Sequence, residues 1–310
     1  MLTTIKRIEK EFINSKDGLF FSSVRALDDS GDFFLYAKEI SNTQPNEPFS
    51  GLNLCFLHDF GEHSQRYLLL LSKFISSFST PTRILLVDFK GHGKSSGTRG
   101  HIDSLDSICR DTIAFLNLWQ APHESKVAFI SFGLGGIVAL KIIHLFFSQL
   151  QFEVAGLVLL NPGLKWRWRV PSLLESVVSG GVKSLKKVKL PFQIEGSLFA
   201  GDSVIAQEFD ADPLINHTMT WGTFLEVQKG ASTTRTSAYY LDVPVFIGIS
   251  ENDQLYDHSV TELFARGIAE CELIHYGQAF HDLLHYFEHE KVLKDVYNWM
   301  KDKKITQNPS

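Results

Sequence analysis

Short apolar runs alternate with helical patterns along most of this chain, and that alternation restricts it to very few folds. The runs LNLCFL (52–57), RILLVD (83–88), VAFISF (127–132), VAGLVLL (154–160), VPVFIGIS (243–250) and CELIHY (271–276) are aliphatic or β-branched nearly throughout. Parallel strands covered on both faces read in this way. Helical patterns lie between or beside them at 64–78, 104–119, 135–148, 258–268 and 288–302. One of these, DSLDSICRDTIAFLNLW, opens with Asp and Ser in capping positions and keeps an apolar stripe. The expectation is an α/β fold: a mostly parallel, eight-stranded sheet with helices on both faces. The first forty residues differ. KRIEKEFINSKDGLFFSSVRAL and DFFLYAKEI read as two or three antiparallel strands added to the sheet's edge.

The spacing breaks once, between Leu160 and Val243. About eighty residues between neighbouring strands is too long for a loop. The expected arrangement is a core of residues 1–163 and 240–305, with 164–239 inserted as a helical cap over the carboxyl ends of the strands, where open α/β sheets bind ligands. Within the cap, KWRWRVPSLLESVVSGGVKSLKKVKLPF (165–192) mixes Trp, Leu and Val with closely spaced Arg and Lys. It reads either as peripheral contact with an anionic membrane surface or as an ordinary helix with a basic solvent face. Residues 128–147 have the length of a membrane span, but they carry Lys141, His144 and three glycines in their first half. A strand turning into a buried helix explains them better.

A net charge of −5 and a pI of about 6.2 give no reason to expect a nucleic-acid partner. Cys55, Cys109 and Cys271 are far apart and are expected to be buried, reduced thiols. The twelve histidines show no paired ligand spacing, so neither metal nor other cofactor is expected. The start of the chain lacks the apolar core of a signal peptide, which points to the cytoplasm or a membrane surface facing it.

The loops after the strands carry the chemistry, and they fall on one edge of a parallel sheet. They are HDFGEHSQRY (58–67), FKGHGKSSGTRGHI (89–102), GLGG (133–136), ENDQLYD (251–257) and GQAFHDLLH (277–285). The first resembles, with one departure, the His-Gly-x-Gly-Glu-His-Ser-x-Arg-Tyr loop of the monoacylglycerol lipase and lysophospholipase branch of the α/β-hydrolases. Asp88, Gly91, His92, Gly93, Ser95 and Gly97 match that branch's Asp-x-x-Gly-His-Gly-x-Ser-x-Gly loop, and Asp212-Pro213-Leu214 its Asp-Pro-Leu. The resemblance covers about residues 18 to 300. It implies hydrolysis of a carboxylic ester of a monoacylglycerol or lysophospholipid by a Ser-Asp-His triad in that chain order. Carried over, the acid is Asp253, the base is His281, and the backbone N–H groups of Phe60 and Leu134 form the oxyanion hole. Asp257 and His285 are weaker candidates for the same roles. A lipid or small acyl ester is the implied ligand.

The serine itself is absent. Where the resemblance implies Gly-His-Ser-x-Gly-Gly, the chain has Ser131-Phe132-Gly133-Leu134-Gly135-Gly136. Glycine accepts the strained backbone of such an elbow, so the turn can persist without its hydroxyl. Four readings stand: a natural pseudoenzyme, a deliberate Ser-to-Gly replacement, a nucleophile displaced to Ser131, and attack by water in the hydroxyl's place. Several departures around one site favour drift over a single edit. One of them is Asp59, whose carboxylate beside a developing oxyanion would oppose it. The expected geometry has His281 bonded to Asp253, with its other ring nitrogen facing Gly133 across a gap the size of a water or a hydroxyl. A non-catalytic lipid-binding module overlaps with the pseudoenzyme reading. A dinucleotide-binding oxidoreductase fits less well, because GLGGIV ends in Val138 and lies mid-chain.

Overall fold

The computed structural model describes residues 5–45, 49–119, 126–168 and 185–306. Its sheet has nine strands in the order β1-β2-β3-β5-β4-β6-β7-β8-β9. Three of these are antiparallel: β1 (Arg7–Lys16), β2 (Leu19–Leu27) and β3 (Phe34–Ser41). The rest run parallel: β4 (Leu52–Leu57), β5 (Thr82–Val87), β6 (Lys126–Phe132), β7 (Glu153–Leu160), β8 (Val245–Ser250) and β9 (Cys271–Tyr276). The expected eight strands become nine because the first forty residues supply three. Asp17 and Gly18, both at positive φ, make the two-residue turn between β1 and β2.

The apolar runs are strands because only a central sheet can bury them. Every residue of β4, β5 and β8 is buried. The edge strand β9 is the exception, with a single buried residue, Tyr276. For the same reason Cys271, expected to be buried, is only partly so, while Cys55 and Cys109 are enclosed.

Helices α1 (Ser64–Ser76), α2 (Leu105–Trp119) and α3 (Leu134–Leu145) follow β4, β5 and β6. α3 and the C-terminal helix, α8 (His289–Asp302), cover opposite faces of β7. A Cβ at Gly156 would meet Trp299 of α8, whereas Gly136 of α3 lies over Leu159. The segment 128–147 divides into β6, a turn and α3, and among the described residues no helix is long and apolar enough to cross a membrane.

Between β7 and β8 lie α4 (Gly196–Phe199), α5 (Ser203–Ala211) and α6 (Trp221–Thr234). Asp202 caps α5 through the N–H groups of Val204 and Ile205, and Thr220 caps α6 through that of Thr223. α6 rests on the core: the Ile102 N–H donates to Thr223 Oγ1 at 2.7 Å, and Gly230 abuts Leu105. Helix α7 (Ser259–Arg266) follows β8. Most of the basic, Trp-containing stretch falls in 169–184, outside the described residues.

α3 enters the sheet very close to β4. The Gly135 N–H donates to the carbonyl of His58, and a Cβ at Gly135 would sit on the Leu57 carbonyl oxygen. Backbone cannot yield as a flexible side chain does. Gly135→Ala is therefore expected to lower the melting temperature by roughly 3–5 °C, while a change within about 1 °C in thermal denaturation would mean the helix has room to stand off.

Candidate active site

Strand β6 ends at Phe132, and Gly133 turns the chain into α3 with φ 53° and ψ −114°. This is the strained strand-to-helix elbow expected from the sequence. Its amide donates to the Leu160 carbonyl at 3.1 Å and its carbonyl accepts from Gly163 at 3.0 Å. The amides of Gly135 and Gly136 are also spent on backbone carbonyls. No cradle of free N–H groups remains for a dinucleotide phosphate.

Asp253 and His281 reach the elbow from the loops after β8 and β9. His281 Nδ1 lies 2.9 Å from Asp253 Oδ2. Asp253 Oδ1 accepts from the N–H groups of Leu255 and Tyr256, which fixes the carboxylate. Asn161, at positive φ where β7 ends, donates to the His281 carbonyl and to Ser250 Oγ, locking the histidine loop to β8. The rings of Phe132, Phe199 and Tyr256 pack around the imidazole at 4.9, 4.8 and 5.1 Å.

The gap expected between His281 and Gly133 is filled. The Asp59 carboxylate, from the loop after β4, lies against the elbow. A Cβ built at Gly133 would land on its carboxyl carbon and both oxygens. Oδ2 is 2.9 Å from His281 Nε2. Oδ1 accepts from the Leu134 N–H at 2.5 Å and from the Tyr256 hydroxyl at 2.9 Å. The Leu134 amide, read from the sequence as an oxyanion donor, is thus already committed. The four groups are sealed from solvent, at 0% exposure for His281, 1% for Asp59 and Tyr256, and 3% for Asp253.

Charge follows from this enclosure. Burial opposes protonation of His281, but the Asp253 carboxylate and then Asp59 outweigh it and raise its pKa to about 10. Burial likewise acts to raise the pKa of Asp253, and the charge and hydrogen bonds of His281 and His258 instead hold it well below the usual carboxylate range. Burial and then Asp59 push the Tyr256 phenol well above its ordinary value. Both ring nitrogens of His281 are thus committed to carboxylates, Nδ1 to Asp253 and Nε2 to Asp59. Three donors hold the Asp59 oxygens, and the Leu134 amide is one of them.

Ser131, Asp257 and His285 are engaged in other contacts. Ser131 is wholly buried in β6, and its hydroxyl donates to the Val158 carbonyl at 2.7 Å. Asp257 pairs with Lys165 at 2.6 Å, and His285 with Asp282 at 2.7 Å. Phe60, the chain neighbour of Asp59, packs its ring perpendicular to that of His92 at 5.1 Å. The matched loop residues are structural ties. Asp88 accepts from the amides of Ser64 and Lys94, and His63 meets Asp212 at 2.9 Å.

Sequence reasoning missed Tyr256 and His258, the latter 2.8 Å from Asp253 Oδ2. Their only signal was proximity to Asp253 in ENDQLYDH.

A mostly parallel sheet with a glycine elbow after β6, and an acid and a histidine after β8 and β9, defines an α/β-hydrolase of the lipase and esterase type. The chain belongs to the family described as "Serine aminopeptidase, S33", whose model matches residues 52–290. It is 22% identical over 249 residues to a monoacylglycerol lipase of Mycolicibacterium smegmatis, a match covering 78% of this chain and 85% of that protein. It is 23% identical over 254 residues to an uncharacterized abhydrolase domain-containing protein of Dictyostelium discoideum; there the match covers 80% of this chain and spans only 26% of the relative. Among solved structures it is similar to the monoacylglycerol lipase of Paleococcus ferrophilus, with a TM-score of 0.70, 18% identity, and coverage of 87% of this chain and 99% of that one.

Proposed function

We propose that this chain is a lipase-like α/β-hydrolase in which Gly133 and Asp59 together have silenced ester hydrolysis, leaving a protein that binds an acyl lipid without cleaving it. The observation that carries the reading is the Asp59 carboxylate in the volume of a residue-133 side chain, bonded to both the Leu134 amide and His281. Asp253, His281, Phe60 and Leu134 are then the remnants of acid, base and oxyanion hole. A single Ser-to-Gly edit would leave a void rather than a fitted carboxylate, which supports drift. Residues 164–239 form the cap in this reading, over a core of 1–163 and 240–305. The cap's aromatic side chains, with Trp168 stacked on Phe192 at 5.2 Å and set against Phe224 at 5.3 Å, suit an apolar chain. A monoacylglycerol or lysophospholipid at a cytoplasmic membrane surface is the proposed ligand class.

The test is direct. The full chain is expected to hydrolyse p-nitrophenyl esters no faster than buffer and to remain unlabelled by a fluorophosphonate probe, while a fluorescent fatty acid titrates saturably at micromolar concentration. A fluorophosphonate adduct at Ser131, or turnover abolished by Ser131→Ala, would overturn the silenced reading in favour of a displaced nucleophile.

A further inference from the structure

We propose that the Leu134 N–H, the Tyr256 hydroxyl and the His281 imidazole together form a carboxylate-binding site, and that in the folded chain its ligand is the chain's own Asp59. The three donors come from three different places: the first turn of α3, the loop after β8 and the loop after β9. None belongs to the loop that carries Asp59. One carboxylate oxygen takes two donors and the other takes His281, as a free carboxylate would be taken by a receptor built for it.

The surroundings suit such a receptor. Asp253, fixed by two backbone amides and flanked by His258, keeps a negative charge behind His281. That charge holds the imidazole cationic towards the site. Phe132 and Phe199 exclude water from its sides, which strengthens a charge-assisted bond. Beyond those three bonds to its side chain, Asp59 is held through its backbone, whose carbonyl accepts from His58 Nδ1 at 2.6 Å and from the Glu62 amide at 3.3 Å. Removing its side chain would leave a cavity of carboxylate shape, lined by the same donors and a buried positive charge. The ligand class is therefore a small carboxylate, or the terminal carboxylate of a longer acid.

This inference rests on where Asp59 sits, not on the silencing of hydrolysis. Turnover by the native protein would defeat that reading and leave the receptor standing. The experiment uses the full-length Asp59→Gly variant with sodium formate, and sodium chloride of equal ionic strength as control. Without formate its melting temperature should fall by roughly 5–10 °C, because the buried imidazolium has lost one of its two carboxylate partners and the Leu134 and Tyr256 donors have lost theirs. Formate should restore it saturably with a dissociation constant of about 1 mM, the limit for a three-atom ligand. Adding Tyr256→Phe should weaken that constant roughly five- to tenfold. If Asp59→Gly does not fold in chloride, refolding in formate replaces melting as the readout. Restoration no greater than that in chloride, or a formate effect indifferent to Tyr256, overturns the proposal. Asp59→Asn, which keeps the shape without the charge, gives an independent check. Its His281 imidazole resonance should titrate about one pH unit or more below that of the native chain, and an unchanged titration also overturns the proposal.

Discussion

Restoring serine alone is expected to fail: Gly133→Ser will show no esterase activity above the native chain and will be less stable. From the sequence, the new hydroxyl would meet His281 and the Leu134 amide. In the structure that volume belongs to the Asp59 carboxylate, which a residue-133 Cβ would overlap. The carboxylate must leave, breaking its bonds to Leu134, Tyr256 and His281. The backbone at φ 53° is also strained for any residue but glycine. Displacing one member of a buried charge pair costs about 3–5 kcal/mol. Gly133→Ser combined with Asp59→Gly removes the collision, frees the Leu134 amide and returns His281 to a hydroxyl partner. p-Nitrophenyl ester hydrolysis by the double variant should exceed that of the single by roughly 10²- to 10³-fold, the amount one oxyanion donor supplies. Equal rates in the two variants would show that Asp59 does not block the site.

Stability should decline steeply in mild alkali. His281 stays charged in the folded chain to about pH 10, but only to about 6.5 when unfolded. The folded state therefore binds the extra proton across that window. The stabilisation is present in full below pH 6.5 and is lost as pH rises through 10, on the order of 5 kcal/mol. His285, raised by Asp282 against the effect of burial, works in the same direction. Asp253 works oppositely: its contribution is present above about pH 4 and is lost as pH falls through its depressed folded value. Burial holds His58 and His92 neutral, so the unfolded chain gains protons in acid that the folded chain does not. The urea midpoint should thus be highest just below neutrality. A profile flat from pH 6.5 to 10, or one unaltered by Asp59→Asn, would contradict the ion cluster.

The strands were legible because burial on both faces leaves apolar residues in long runs. LNLCFL and CELIHY are β4 and β9 to the residue. Gly133 at an elbow was legible too, through the resemblance of SFGLGG to the hydrolase elbow between that strand and that helix. The destination of Asp59 was not. In HDFGEHSQRY it is one residue among several polar ones, and its direction depends on which loops lie opposite once the sheet has formed. Strand order puts β4 beside β6, and this brings Asp59 to the elbow from 75 residues away in sequence. Tyr256 and His258 were hidden for the same reason: a loop fixes where side chains begin, and packing decides where they end.

The Asp17-Gly18 turn ties neighbours in sequence, whereas the cluster of Asp59, His281, Asp253 and His258 ties strangers. It joins loops from three different strands through charges that have no water to fall back on. Lifting the His281 loop strands two buried carboxylates, and lifting either of the other two takes a partner from the buried imidazolium, so each opening carries an electrostatic cost. The carboxyl edge of the sheet, the part of an α/β enzyme usually free to breathe around a substrate, is here bolted into the same cooperative unit as the core.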